Sequence, residues 1–329
     1  MNTFGRIFRI HIYGESHGKE IGVIIDGCPA GIPISTDDFT EDIQRRKGGS
    51  KGTTPRIEED KPIIKSGVFN GKTTGFPILI AFENTNSRSE DYNDFLVSPR
   101  PSHADFTAKM KFAGYNDHRG GGHFSGRLTL GLIAAGVIAK KIINPVKINA
   151  TVIEVGGSKN IDSAIDNALK NNDSIGGIVE CRAEKVMVGF GEPFFDTFES
   201  LISHIVFAIP GIKGIEFGSG FSSAQMTGSE HNDIILEQSG KTKTNFSGGI
   251  NGGITNGNKI YFKVAVKPTS SISKPQQTLN METGKLGILE IKGRHDTCIA
   301  LRVPVILEAV TAIVLADLMM LEQKITRII

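Results

Sequence analysis

Cysteine is scarce. Three thiols in 329 residues, Cys28, Cys181 and Cys298, are too few and too far apart for a disulfide framework, and no Cys-x-x-Cys pair occurs. A reducing, cytoplasmic setting is therefore expected. An excess of either charge is missing as well: 37 Lys and Arg against 35 Asp and Glu leave a formal +2. That excludes a polycation built for nucleic acid or membrane and points to a small partner. Long uncharged apolar runs are also absent. "MNTFGRIFRIHIYGESHG" contains no stretch of signal-peptide length, and "VPVILEAVTAIVLADLMML" from Val303 carries Glu308 and Asp317, which makes it a core helix and not a span. No two histidines stand at the helical i, i+4 spacing, so no metal site is expected. Two nucleotide motifs fail on inspection. "GVFNGKTTG" has three residues between Gly67 and Gly71 where a phosphate loop needs four, and it continues as strand. "GSGFSS" from Gly218 puts Ser223 where a dinucleotide fingerprint needs its third glycine.

What is present is a globular composition, 39% apolar over 329 residues, enough for a sizeable core. "IGVIIDG" reads as a strand ending at "CPAGIP"; Ser35 then caps a helix through "STDDFTEDIQRR", with Asp38 three residues on. "FPILIAFEN" is a strand. The longest helix is "GRLTLGLIAAGVIAKKI", its small and apolar residues predicting burial on several faces, and "DSAIDNALK" is a weaker one. "GGIVECRAE" is strand, "EPFFDTFESLISHIVFAI" helix with Pro193 early, "KGIEFGSGF" strand into loop, "KIYFKVAVKP" strand, and the Val303 helix closes the chain. No Ser/Pro-rich linker divides it, so one mixed domain over 1–329 is expected, with unusually glycine-rich loops.

Four of those loops pair His with Arg or carboxylate. "GESHG" sets His17 near Glu15; "RPSHADFT" holds Arg100, His103 and Asp105; "DHRGGGHFSGR" holds Arg119, His123 and Arg127; "GRHDTC" holds Arg294, His295 and Asp296. Singly, each reads as a polar turn or a structural ion pair. Together they supply guanidinium forks for phosphate or carboxylate, imidazoles for proton transfer near neutral pH, and loop amides for an anion. The expected ligand is polyanionic.

These loops, in this order, resemble the chorismate synthase family. The resemblance runs from Phe4 to the final helix through "FGRIFRIHIYGESHG", "GVFNGKTTGFPI", "RPSHADFT", "RGGGHFSGR", "AIPGIKGIEFGSGF", "GGINGGITNG", "VKPTSSI" and "GRHDTC". It implies an α+β fold, a β-α-β sandwich commonly assembled as a homotetramer. It implies a 1,4 (trans) elimination of phosphate from 5-enolpyruvylshikimate 3-phosphate to give chorismate, requiring reduced flavin mononucleotide (FMN) with no net redox change. NADPH enters only if the chain reduces its own flavin. By resemblance, His17 is the acid assisting the departing phosphate, His103 lies by the flavin and keeps its reduced form suitably protonated, and Asp296 relays a proton from the flavin. Flavin contacts carry over to His123, Phe124, Ser125, Phe246, Ser247, Gly252, Lys267, Pro268, Thr269, Ser270, Ser271 and Arg294, with Arg46 and Lys51 in the basic loop at the site mouth. Arg46, Arg100, Arg127 and Arg294 would grasp the substrate's anions. The chain departs from the family pattern in a basic loop one residue shorter than "RRRPGTSRYTT", in Ser102 for a glycine, in "HFSGR" for "RSSAR", and in "NFSGG" for "NNAGG". Two other classes fit parts of the pattern. A non-catalytic polyanion binder would need the arginines but not the paired histidines, and a flavin oxidoreductase would consume reductant in proportion to product.

Overall fold

The computed structural model describes residues 2–55, 58–85, 94–291, 293 and 295–324. Its N-terminal part is built from short apolar strands separated by tight turns: β1 (Thr3–Phe4), β2 (Arg9–Gly14) and β3 (Glu20–Asp26). Ser35 then starts a turn of 3-10 helix at Thr36–Phe39 that runs into α1 (Thr40–Arg46). The Ser35 N–H donates to the Asp38 carboxylate at 2.7 Å, the capping box expected from the sequence. Strand β4 (Ile63–Ser66), a small hairpin β5 (Val68–Phe69) and β6 (Lys72–Thr73), and β7 (Ile78–Glu83) follow. Five of these strands form an antiparallel sheet in the order β1-β2-β3-β7-β4.

Two helices, α2 (Asp105–Lys111) and α3 (Thr129–Ile142), lead to the second half. There β8 (Lys147–Val155), α4 (Ile161–Lys170), β9 (Gly177–Glu184), α5 (Phe198–Val206), β10 (Ile212–Phe217), α6 (Gly228–His231), the β11 (Ile250–Asn251) and β12 (Ile254–Thr255) hairpin and β13 (Ile260–Val266) succeed one another. Their main sheet is antiparallel, in the order β10-β13-β9-β8. A hairpin, β14 (Gln276–Leu279) with β15 (Leu286–Leu289), precedes the last helix α7 (Val303–Lys324).

Helices α3 and α7 form the layer between the two sheets, and glycines set their spacing. A Cβ on Gly131 would stand 2.9 Å from Ile12 Cδ1 and 3.1 Å from the Gly22 carbonyl, so α3 lies directly on the first sheet. A Cβ on Gly136 would stand 2.4 Å from Ala309 Cβ, so α3 also lies directly on α7. Among the described residues, α7 with the turn before it is the one helix long and apolar enough to cross a membrane, and it is mostly buried inside the sandwich. Its two buried carboxylates are matched. Glu308 accepts from Arg45 at 2.6 and 2.7 Å and from the Ala150 N–H at 3.0 Å; Asp317 accepts from the N–H groups of Arg6, Ile7 and Phe8.

The architecture is thus α+β, a β-α-β sandwich, and each main sheet is wholly antiparallel. The helix read over "EPFFDTFESLISHIVFAI" is shorter than expected: Pro193 leads into a single turn in which Phe194 takes φ +68°, and Thr197, accepting the Ser200 N–H at 3.0 Å, caps α5 only from Phe198. Strand β8 has no counterpart in the sequence reading, because Asn149 and Ala150 break its run of β-branched residues. Helix α2, seven residues long, is too short to show a helical period.

Candidate active site

The turn Gly120-Gly121-Gly122 has φ of 62°, 81° and 54° in succession, a path open to glycine alone. A Cβ on Gly122 would fall 1.9 Å from the Asp117 carbonyl; one on Gly120 would fall 2.5 Å from His17 Cδ2 and 2.6 Å from its Nε2. On Gly121 it would meet His103 Cε1 at 3.6 Å. The backbone therefore passes between the two imidazoles. The "GESHG" loop is held to this turn by the Ser16 N–H donating to the Gly122 carbonyl at 3.1 Å. From the end of β7, Asn84 brackets the same loop. Its backbone N–H donates to the Lys19 carbonyl at 3.1 Å, and its Nδ2 to the carbonyls of Glu15 and Gly18 at 3.0 and 2.9 Å. Its Oδ1 accepts from Arg127 Nε, which fixes the orientation of the amide. His17 is 6% exposed and stands directly behind Gly120, which lines both cavities of the site.

His103 is half-buried and bound through Nδ1, 2.6 Å from Asp105 Oδ1. Arg100 holds that carboxylate with Nε and Nη2, each at 2.8 Å, and donates Nη1 to Ser271 Oγ at 3.0 Å. Burial works to raise the Asp105 pKa, but hydrogen bonds from Arg100 and His103 outweigh it and hold the carboxyl well below the usual range.

A polar cavity of about 220 Å³ lies beside them. Asp296 accepts the Thr54 N–H at 2.8 Å and Arg302 Nη1 at 3.1 Å, while Arg302 Nε donates to the Arg46 carbonyl at 2.9 Å. Arg46 donates to Thr129 Oγ1 at 3.0 Å and to the Gly126 carbonyl at 2.8 Å. Burial, with Arg302 and Arg127 close by, lowers the Arg46 pKa, though a guanidinium stays charged at neutral pH. Arg127 is paired with Asp60 at 2.8 Å and with Glu58, and donates Nη2 to the Glu83 carbonyl. The described arginines of this cavity are thus already matched by internal carboxylates, so an anionic ligand competes with Glu58 and Asp60 for Arg127.

The polar cavity opens along Gly120, Ser125 and Thr269 into a larger cleft of about 640 Å³. Its wall is mixed: Phe124, Phe207, Pro210 and Ile299 on the apolar side, Lys267 and the hydroxyl residues Thr269, Ser270 and Ser271 on the polar side. Lys267 Nζ is anchored by the Ser102 carbonyl and by Ser270 Oγ. Thr269 Oγ1 is buried and has no hydrogen-bond partner among the described residues. His123, where the family has arginine, turns away from a phosphate role: Nδ1 meets the Gly14 carbonyl at 2.8 Å and Nε2 the Asn2 side chain at 3.1 Å.

Most of the expected site residues therefore converge. His17, His103, Asp296, Arg46, Arg100, Arg127, the 123–125 segment and the 267–271 segment all belong to these two cavities and their immediate backing. Others do not join them. Lys51 is exposed and pairs with Asp166 on α4 at 2.7 Å. Phe246 and Ser247 pack beside Gly218 and Tyr261, at the start of β13, whereas Lys267 follows its end, roughly 20 Å away by strand rise. Gly252 sits in the β11–β12 turn, outside the cleft wall. Arg294 lies outside the described residues. Sequence reading missed Arg302, Thr54, Asp60 and Asn84. Arg302 alone carried a local hint, a basic residue six positions beyond Asp296, and the others act on partners far away in sequence.

Comparison with known proteins identifies the family. The family model described as "Chorismate synthase" matches residues 8–320. A chorismate synthase of Chitinophaga pinensis is 60% identical over 100% of this chain and 99% of its own length. One of Korarchaeum cryptofilum is 43% identical over 96% of each chain, and one of Methanocaldococcus jannaschii 40% identical over 97% of this chain and 96% of its own. A solved structure titled "Crystal Structure of Chorismate Synthase" superposes with a TM-score of 0.73 at 26% identity, covering 97% of this chain and 93% of that one.

Proposed function

This chain belongs to the chorismate synthase family, and we propose that it works with reduced FMN bound in the larger cleft and with His17, His103 and Asp296 as its catalytic residues. Family membership makes it a lyase that eliminates phosphate from 5-enolpyruvylshikimate 3-phosphate to give chorismate, the last step of the shikimate pathway. The observation that carries the catalytic reading is the meeting of His17 and His103 on one triple-glycine turn at the edge of the cleft. The cleft residues fit a phosphorylated flavin. An apolar flank suits a planar ring, Lys267 and the 269–271 hydroxyls suit a phosphate, and the orphaned Thr269 Oγ1 is a buried donor awaiting an acceptor.

When bound, reduced flavin supplies an electron-rich ring that can lend an electron to the allylic system and recover it, so that the reaction closes without net redox change. The protein's part is positioning and proton handling. Arg46 and Arg127 hold the substrate's anionic groups in the polar cavity, Arg127 exchanging Glu58 and Asp60 for them. His17 delivers a proton as phosphate leaves. Asp296, kept in place by Thr54 and Arg302, is the carboxylate that would accept a proton in the polar cavity. His103 lines the larger cleft, where it would govern the protonation of a bound flavin.

The assembly we propose is a homotetramer. Phe246 and Ser247, the expected cofactor contacts that lie far from the cleft of their own chain, would reach the cofactor from a second copy. NADPH is a further ligand only if the chain reduces its own flavin. Purified protein should release phosphate from 5-enolpyruvylshikimate 3-phosphate with pre-reduced FMN under anaerobic conditions, without stoichiometric flavin oxidation. Equal turnover with oxidised FMN would refute the cofactor reading.

A further inference from the structure

We propose that Asp105 is a positioning residue for His103: it keeps the ring proton on Nδ1 and so presents Nε2 as the free nitrogen of the neutral ring. Two groups compete for Nδ1. Asp105 Oδ1 is 2.6 Å away and can only accept, and Arg100 Nη2 is 3.0 Å away and can only donate. A lone pair on Nδ1 would face an ionised oxygen at 2.6 Å, a strongly repulsive contact, whereas an Nδ1–H makes a short charge-assisted bond there. Arg100 gives up its contact to Nδ1 by this choice, but its Nη2 keeps the charge-assisted bond to the same Oδ1 at 2.8 Å. Asp105 itself cannot turn. Oδ2 accepts the Arg100 N–H at 3.1 Å and Nε at 2.8 Å, so three donors of one arginine, with Nη2 on Oδ1, fix the plane of the carboxylate.

His103 lines the cleft, and among the described residues no hydrogen bond holds its Nε2. The neutral ring therefore faces a ligand as an acceptor at Nε2. Proton uptake at that atom would be backed by an anion at the far nitrogen, the arrangement by which a carboxylate orients and supports a working imidazole. The pairing also accounts for the local order "RPSHAD". Arg100 and Asp105 flank the histidine and tie the loop into the start of α2, so the group that carries the proton and the group that sets its tautomer move as one unit.

Asp105→Asn tests this sharply. The Asn amide should place its oxygen where Oδ2 met two Arg100 donors and its NH₂ against His103 Nδ1, which then becomes the acceptor; the tautomer should invert. Long-range ¹H–¹⁵N spectra of the neutral ring, assigned by the signal lost in His103→Ala, should show a protonated Nδ1 in the parent and a protonated Nε2 in Asp105→Asn. Asp105→Glu, which keeps the anion, should keep the parent pattern. The consequence for turnover rests on the reading of His103 given above: kcat of Asp105→Asn should fall about 10- to 100-fold, with KM for 5-enolpyruvylshikimate 3-phosphate nearly unchanged. A parent ring protonated at Nε2, or an inverted ring with parental kcat, would overturn the proposal. Full turnover in His103→Ala would instead remove the role given to His103 and leave the tautomer finding standing. Should Asp105→Asn fail to fold, the parent spectrum and the Asp105→Glu pair still decide.

Discussion

Two imidazoles and one triple glycine define the site at the scale of single residues, and the partners of Arg127 show how tightly the rest is bound to them. Arg127 is 7% exposed, and the side chain of its partner Asp60 is 3% exposed. Replacing it with Ala removes the ligand contact proposed above and leaves the buried Asp60 carboxylate with only the more distant Arg46, whose Nη1 is 3.6 Å away. The first effect should raise KM by the equivalent of about 1.5 to 3 kcal/mol, and the second, with Arg46 still beside Asp60, should cost about 1 to 3 kcal/mol of stability. Substrate titration and urea unfolding of Arg127→Ala separate them. Asp60→Asn in the same background should recover stability without recovering affinity. An Arg127→Ala protein that unfolds with its parent would mean the pair contributes nothing to the fold. His17 and His103 are legible in the sequence because glycine or arginine marks their loops as special within a few residues. Asn84 is not, since the loop it brackets lies some 66 to 69 positions away and no local pattern announces it. The arginines are legible as cations but not as paired ones: their carboxylates, Asp60 and Glu58, sit in a segment that no sequence motif singles out.

Elements place these residues, and α3 is the central one. The 3-10 turn that leads into it, Gly126–Leu128 capped by Ser125, carries Arg127 into the site, and its body separates the first sheet from α7. Its composition announces burial on several faces, but only the structure identifies which small residue meets which neighbour. Gly136 meets Ala309, where a Cβ would stand 2.4 Å from a Cβ and 2.6 Å from a backbone Cα. Gly136→Ala sets two effects against each other. The gain in helix propensity is about 1 kcal/mol, and overpacking against backbone costs about 1 to 3 kcal/mol. Because the contact is with main chain and cannot be relieved by a rotamer change, the cost should win. Urea unfolding should show a net loss of stability, with kcat reduced only to the extent that the α3 N-terminus shifts. A more stable Gly136→Ala protein would mean that the two helices separate at little cost. Most of the long strands and helices are legible in the sequence; β8 and α2 are not, and neither is the true start of α5, because in the first half of "EPFFDTFESLISHIVFAI" Pro193 and a positive φ at Phe194 end a pattern that is apolar enough to continue.

At the scale of the whole molecule, residues from both ends of the chain meet in one cleft, while Phe246 and Ser247 sit at the opposite end of β13. Within one copy those two residues and His17 serve different places. If a second copy brings its Phe246 and Ser247 loop to the cofactor, each working site is shared, and the loss of His17 in one chain can be complemented by another. His17→Ala and Ser247→Arg should each be nearly inactive alone, the first for want of the acid and the second because a large cation replaces a small hydroxyl residue at the cofactor. Mixed by co-refolding, a site is intact only where a chain with His17 meets a neighbour with Ser247. Random assembly of equal amounts produces that in about one quarter of sites. Phosphate release should therefore return to about a quarter of the parental rate. A site complete within one chain allows no such recovery, because every chain carries its own defect. Activity that stays at the level of the separate variants, measured beside a sedimentation profile proving that mixed oligomers formed, would confine the cofactor contacts to a single copy. Full activity in Ser247→Arg alone would remove that loop from the site altogether.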